Sequence, residues 1–206
     1  MSGDIISIDT SELVKVKPTA TKIEIPLFKL VSEDNPILRQ PIEEFDFENP
    51  PVNPNTFASS LVETCKTNKG LGLSANQCGF KYRVFVVGYG ENYVAYFNPK
   101  ITWVSDVLSH ADEGCLSFPN LFIKITRPES VEVEYQDFTG ETKTARFGGL
   151  TARCILHEFD HMNGVVFTTQ AKPLALKTGL DKRMKLVRKY EKYSKLLQKQ
   201  VKKLGK

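Results

Sequence analysis

The sequence predicts an α+β protein in which mixed or antiparallel β-sheets surround a central helix carrying an HExxH motif, with a further helix at the C-terminus. Three observations lead there. Four β-type runs, "RVFVV" (83–87), "NYVAYF" (92–97), "SVEVEYQDF" (130–138) and "ETKTARF" (141–147), fall in a block between helical patterns instead of alternating with them. A helical stretch from about Leu150 to Asn163, closed by Gly164, carries "HEFDH" at 157–161. Much of 174–204 places Leu180, Met184, Val187, Leu197, Val201 and Leu204 near one stripe with lysines elsewhere.

Taken in order, residues 1–25 read as a polar N-terminal extension. They lack the apolar core of a signal peptide, and Asp4, Asp9, Glu12 and Glu24 argue against a transit peptide, so a cytoplasmic protein is expected. In "NPPVNPN" (49–55), Asn53 can cap a helix and Pro54 fits its first position. Phe57, Leu61 and Cys65 then share a face, and Gly70 is expected to end the helix. "DFTGE" between the last two β-type runs reads as a hairpin turn. With 206 residues, 41% hydrophobic and 25% charged, the chain suits one sizeable core. No apolar run approaches the ~20 residues that span a bilayer, so no membrane partner is expected.

The net charge of +4 conceals an asymmetry. Lys172 to Lys206 hold thirteen Lys or Arg against Asp181 and Glu191, a net +11, which leaves −7 on residues 1–171. An acidic body over 26–171 and a basic helical tail over 172–206 suggest two jobs or two partners. Four cysteines in a chain this long do not make a disulfide framework; most pack as small hydrophobes.

His157 and His161 are two of only three histidines. Four residues apart on a helix, they are offset by about 40° and one turn of rise, so they share a face and can hold one ion. Glu158 is rotated by about 100° from His157, which suits a base beside an ion better than a ligand on it. Two neutral imidazoles, an acidified water and a nearby carboxylate are the parts of metal-assisted hydrolysis. The competing reading is a buried helix with two satisfied histidines.

The third ligand stays open on the residues alone. A zincin-type protease of the HExxHxxGxxH branch would need histidine at 167, where Phe167 stands. Glu191 lies in a basic helix, His110 has no supporting context, and Cys154 sits about 10 Å along the axis from His161. Cys65 lies on an apolar helix face. Cys115, in "DEGCLSFPN", sits after Gly114 at the end of a β-type run, where a turn can project its thiolate.

The motifs "GLGLSANQ" (70–77), "EGCLS" (113–117) and "HEFDHMNG" (157–164), in this order and spacing, closely resemble the signatures of the peptide deformylase family. The likeness runs from "PLFKLVSEDNPILRQP" (26–41) to about residue 170. Ser74 stands where the family often has alanine, Leu156 where it has glutamine, and Met162 where it has leucine.

The resemblance implies removal of the formyl group from N-formylmethionine at the start of new polypeptides, by hydroxide on a metal ion. Cys115, His157 and His161 are then the ligands and Glu158 the carboxylate that carries the proton. Gln77 and the Leu116 backbone N–H are the candidates for stabilising the oxyanion. Gly72 and the Glu113–Gly114 segment can pair with the peptide as an added strand, and Leu71, Leu150 and Cys154 can line an apolar slot for methionine. Arg153 falls near that slot. Glu113 and Arg127 are expected to form a buried pair behind the ligand strand. The implied ion is divalent, Fe(II) foremost, with Zn(II), Ni(II) or Co(II) as substitutes. The setting is the cytoplasm of a bacterium or of a bacterial virus's host, or else an organelle, and a monomer is expected. For the tail, a solvated face competes with docking on ribosomal RNA. Two alternatives remain: a zincin-type protease, and an RNA-binding protein whose metal site is structural.

Overall fold

The computed structural model of the protein describes residues 25–204; the polar extension expected over 1–25 lies, apart from Ile25, outside them. Within the described residues, seven strands form two antiparallel sheets. The larger takes β1 (Gly72–Ser74), β2 (Val84–Tyr89), β3 (Asn92–Val104), β6 (Ser130–Gln136) and β7 (Thr142–Gly148) in the order β1-β2-β3-β6-β7. The smaller is a hairpin of β4 (Leu108–Cys115) and β5 (Phe118–Pro128). The helices are α1 (Pro54–Thr67), α2 (Gly149–Met162), a short α3 (Phe167–Gln170) and α4 (Pro173–Leu204). This is the expected α+β architecture, with α2 packed against strands of both sheets.

A β-type run ending at Gly114–Cys115 was expected, but not its pairing with β5, and the composition explains why. Leu108, His110, Asp112 and Gly114 form the exposed side of β4, a polar edge with little β-propensity. The alternation of β5 is clear in retrospect, with Leu121, Ile123, Ile125 and Arg127 pointing inward. The four expected runs all become strands with ends shifted by a few residues, except that β3 continues to Val104. The "DFTGE" turn closes the β6–β7 hairpin, with the Gly140 N–H donating to the Asp137 carbonyl at 3.0 Å.

Helix α1 begins as its sequence dictates: the Asn53 side chain accepts from the Thr56 N–H at 2.9 Å, with Pro54 at the first position. It ends earlier than expected. Asn68 caps it, donating its side-chain amide to the Thr64 carbonyl at 2.8 Å, and Lys69 takes the left-handed turn at φ 58°. Gly70 is glycine for space instead: a Cβ there would meet Leu116 Cδ1 at 2.8 Å.

Strand β2 is buried on both faces and separates two halves of the core. Phe85 and Val87 join Leu38, Tyr96, Ile123, Ile125, Val131, Val133 and the Ala152, Ile155 and Met162 side of α2. Val84 and Val86 join Phe45, Phe57, Leu61, Leu73 and Phe97 under α1. Since α2 is held by apolar contacts from both sheets, its polar residues keep fixed positions between them.

The end of α2 is also fixed from outside. Pro41 bridges Asn163, the Ile42 N–H donates to the Met162 carbonyl at 2.9 Å, and Gly164 (φ +71°) lies directly on the backbone of Arg39 and Gln40. Helix α4 starts packed on β5, with Gly179 against the Phe122 carbonyl and Ile123, and Arg183 bridges Glu33 at 2.8 Å. Every residue from Val187 to Val201 is exposed, so the helix leaves the body there.

Gly164→Ala combines a left-handed backbone with a Cβ 2.7 Å from the Gln40 carbonyl carbon. It should destabilise the protein by about 2 kcal/mol or more, lowering Tm by about 5 °C or more in a thermal melt.

Candidate active site

Three elements meet at one cavity of about 600 Å³. Helix α2 brings His157, Glu158 and His161. The end of β4, where the pairing register slips between Gly114 and Cys115, turns Cys115 toward them. The third element is β1 with the single 3₁₀ turn Ala75–Cys78 that follows it and carries Gln77. The cavity is lined by Leu71, Gly72, Glu113, Gly114, Cys115, Leu116, Leu150, Cys154, His157 and Glu158, so most of the residues singled out by sequence border one space.

The ligating atoms of Cys115, His157 and His161 all lie within 4.8 Å of one another. A tetrahedral ion with bonds of about 2.0–2.3 Å needs donor separations of about 3.4 Å, so the triad fits one ion. His161 Nε2 is 3.3 Å from Cys115 Sγ. His157 directs Nδ1 at Glu113 Oε2, 3.1 Å away, which leaves Nε2 to face the cluster. Cys154 and His110 stand outside the triad, Cys154 on the cavity wall and His110 bonded to Thr126 Oγ1 at 2.7 Å.

Glu113 sits behind the triad, 5% exposed. It accepts from Arg127 Nε at 2.7 Å and Nη2 at 2.9 Å, from Arg153 Nη1 at 2.7 Å, and faces His157. The buried Glu113–Arg127 pair expected from the sequence is therefore present. Two further members were missed. Arg153 also borders the cavity, but its guanidinium donates to Glu113, to the Ile125 carbonyl at 3.1 Å and to the Ser109 carbonyl at 2.9 Å. Asp160 takes Arg127 Nη1 at 2.8 Å. Their positions on α2 were a usable signal, since Arg153 lies one helical turn before His157 and Asp160 adjoins His161.

Burial alone would raise the Glu113 carboxyl, but hydrogen bonds from His157 and Arg127 outweigh it and hold the group down at about 2. Burial pulls both imidazoles the other way. For His157 the contacts with Cys115 and Glu113 reverse the sign and lift it to about 10, while His161 stays well below the usual range.

Glu158 is 4% exposed, and burial raises its carboxyl against the opposing charge on His157 and a hydrogen bond from Ser74. A carboxylate with a raised pKa bordering a cavity is suited to moving a proton. Gln77 accepts from the Ser74 N–H at 2.9 Å through its carbonyl, which orients Nε2 toward Cys115 Sγ (3.2 Å) and Ser117 Oγ (3.3 Å). Asn76 Nδ2 holds the His161 carbonyl at 2.8 Å.

The cavity lies between two strand edges. In their sheets β1 and β4 each have one paired neighbour, leaving the other edge free. The Leu71 carbonyl accepts from the Gly88 N–H, so by the alternation of antiparallel pairing Gly72 points its N–H and carbonyl away from β2. A Cβ on Gly72 would lie 2.5 Å from Glu158 Oε1, so a side chain there would displace that carboxylate from its place against β1. Exposed Leu150 and Phe122 stand at the rim, offering apolar surface.

A thiol–imidazole cluster and a buried carboxylate bordering one cleft, with the Gln77 amide beside the Cys115 thiol, are the equipment of an amide hydrolase. Comparison with known proteins narrows the class. The family model for polypeptide deformylase matches residues 27–177. The peptide deformylase of Synechocystis sp. is 35% identical over 167 residues, covering 78% of this chain and 88% of that one. That of Thermotoga maritima is 37% identical over 142 residues, covering 68% and 84%. The crystal structure of a peptide deformylase from Synechococcus elongatus in complex with actinonin superposes with a TM-score of 0.71 at 32% identity, covering 78% of this chain and 89% of that one. A plant peptide deformylase gives 0.71 at 33%, covering 84% and 95%. The chain belongs to the polypeptide deformylase family. It is accordingly a hydrolase of N-terminal processing that takes the formyl group from N-formylmethionyl peptides.

Glu113→Gln removes the charge that compensates two buried guanidiniums. It should destabilise the fold by about 3 kcal/mol in denaturant unfolding and weaken metal retention by about 10- to 100-fold in a chelator competition.

Proposed function

We propose that the reaction is metal-dependent and runs at Cys115, His157 and His161 with Glu158 as the proton carrier. The observation that carries this reading is the convergence of the three ligating atoms within 4.8 Å beside a buried carboxylate that opens on the same cavity. A divalent ion in this donor set supplies Lewis acidity to the formyl oxygen and lowers the pKa of a water. The mixed thiolate and imidazole set suits Fe(II), with Zn(II), Ni(II) and Co(II) as substitutes.

In this mechanism the peptide lies between the free edges of β1 and β4, pairing with Gly72 and with the backbone of Glu113–Gly114. Leu71, Leu150 and Cys154 take the methionine side chain. Glu158 accepts the proton of the attacking water as that oxygen bonds to the formyl carbon and the C=O pair moves onto oxygen. Gln77 Nε2 and the Leu116 N–H donate to that oxyanion. The pair then returns, the C–N bond breaks with its electrons going to nitrogen, and Glu158 delivers the proton to the departing amine. Formate and a free N-terminus result.

The projecting half of α4 supports a second proposal, docking on ribosomal RNA. The tail 172–206 carries +11, and nothing on the body covers residues 187–201 among the described residues. Those residues lie beyond the stretch matched by the family model. No helix of the described residues is long and apolar enough to cross a membrane. The relatives are bacterial and, in one case, chloroplastic or mitochondrial, which supports a compartment where formylated chains are made.

Formate release from a short formyl-Met peptide by Fe(II)-loaded protein tests the reading. Glu158→Ala should lower kcat by about 10³-fold with the ion still bound, and undiminished turnover would overturn it. Removing residues 188–206, which spares the half of α4 packed on β5, should weaken ribosome binding in a sedimentation assay without changing turnover of short peptides. Equal binding by the shortened chain would end the docking proposal.

A further inference from the structure

Ser74 is fully buried in β1, immediately before the turn that carries Gln77, and the proposed proton transfers assign its hydroxyl no part. That hydroxyl has one proton to donate and two acceptors in reach. Glu158 Oε2 is 2.5 Å away and the Glu158 main-chain carbonyl 3.3 Å. The shorter contact is of the length found for charge-assisted bonds to a carboxylate and takes the proton.

The other carboxylate oxygen is in a different position. Oε1 lies against Gly72 at the cavity wall, close enough that a side chain there would displace it, and no described side chain or backbone group donates to it. One oxygen of Glu158 is therefore tied to β1 while the other is left at the edge of the space where the peptide binds. The same residue reaches the opposite side of the reaction through its backbone, since the Ser74 N–H holds the Gln77 carbonyl and so aims Gln77 Nε2.

We infer that Ser74 is a positioning residue, whose hydroxyl fixes the Glu158 carboxylate so that Oε1 is the oxygen that takes the water proton and returns it to the amine. Without that bond the carboxylate can rotate about its terminal torsion, which is broad for glutamate, and the proton-carrying oxygen loses its fixed place. A displacement of this kind acts on the chemical step and leaves peptide binding alone, because the edge groups of Gly72 and Gly114 do not depend on the hydroxyl. The inference rests on Glu158 being the proton carrier.

The test compares Ser74→Ala, Ser74→Cys and Ser74→Thr with the parent and with Glu158→Ala, all loaded with Fe(II), in formate release from a formyl-Met peptide. Ser74→Ala and Ser74→Cys, the latter close in shape but a poor donor, should lower kcat about tenfold with KM, bound metal and Tm near the parent values. Ser74→Thr, which keeps the hydroxyl, should restore kcat toward the parent. Parent-like kcat in Ser74→Ala, or losses confined to KM or to metal content, would overturn the inference while Glu158→Ala remained inactive. Turnover surviving in Glu158→Ala would instead remove the reading on which it rests. If Ser74→Thr does not fold, the kcat and KM of the alanine and cysteine variants decide the matter alone.

Discussion

The site depends on one buried carboxylate. Glu113 joins β4, β5 and α2 by accepting from Arg127 on β5 and Arg153 on α2 while facing His157. A carboxylate, two guanidiniums and an imidazole buried together are tolerable only because nearly every donor finds an acceptor. Arg127 spends its remaining group on Asp160, and Arg153 on Ser109 and the Ile125 carbonyl. The network makes the distance between the Cys115 strand and the His157–His161 helix a fixed quantity. It also selects the His157 tautomer, since the nitrogen facing Glu113 cannot be the one facing the cluster.

Around that hub the apolar core supplies precision. Strand β2 is apolar on both faces, which lets α2 lie between the sheets with its polar side enclosed. The far end of α2 is clamped by the Arg39–Ile42 segment, so neither rotation nor sliding of the helix is free. Burial then gives Glu158 its chemical character: the same desolvation that would harm an unpaired charge raises its affinity for a proton next to the cleft. Glycine serves close approach at two nearby points, Gly70 beneath Leu116 and Gly72 beneath the Glu158 carboxylate. These approaches bring β1, which has only three residues, near enough to the catalytic helix to form one wall of the cleft.

Much of this was legible in the chain. The helix with two histidines four apart, the strand block, the Asn53–Pro54 start of α1 and the Gly164 stop each follow from local rules that tertiary structure did not override. The approach of Cys115 to the two histidines was not legible from spacing alone, because it depends on a register slip at Gly114–Cys115 that no local pattern announces. The pairing of the run before Cys115 with β5 was missed for a related reason: with His110, Asp112 and Gly114 on its open side, that run carries no apolar alternation to set a partner. Arg153 was placed near the methionine slot; its partnership with Glu113 was not legible, because Glu113 lies forty residues away in sequence. Ser74 likewise looks like an ordinary small residue until Glu158 is set beside it.

The claim at the centre of the account is that one thiolate and two imidazoles hold a single divalent ion. X-ray absorption of the zinc-loaded protein tests it most directly. The expected spectrum has one sulfur scatterer at about 2.3 Å and two imidazole nitrogens at about 2.0 Å, with the sulfur lost in Cys115→Ser. A first shell without sulfur in the parent protein would contradict it.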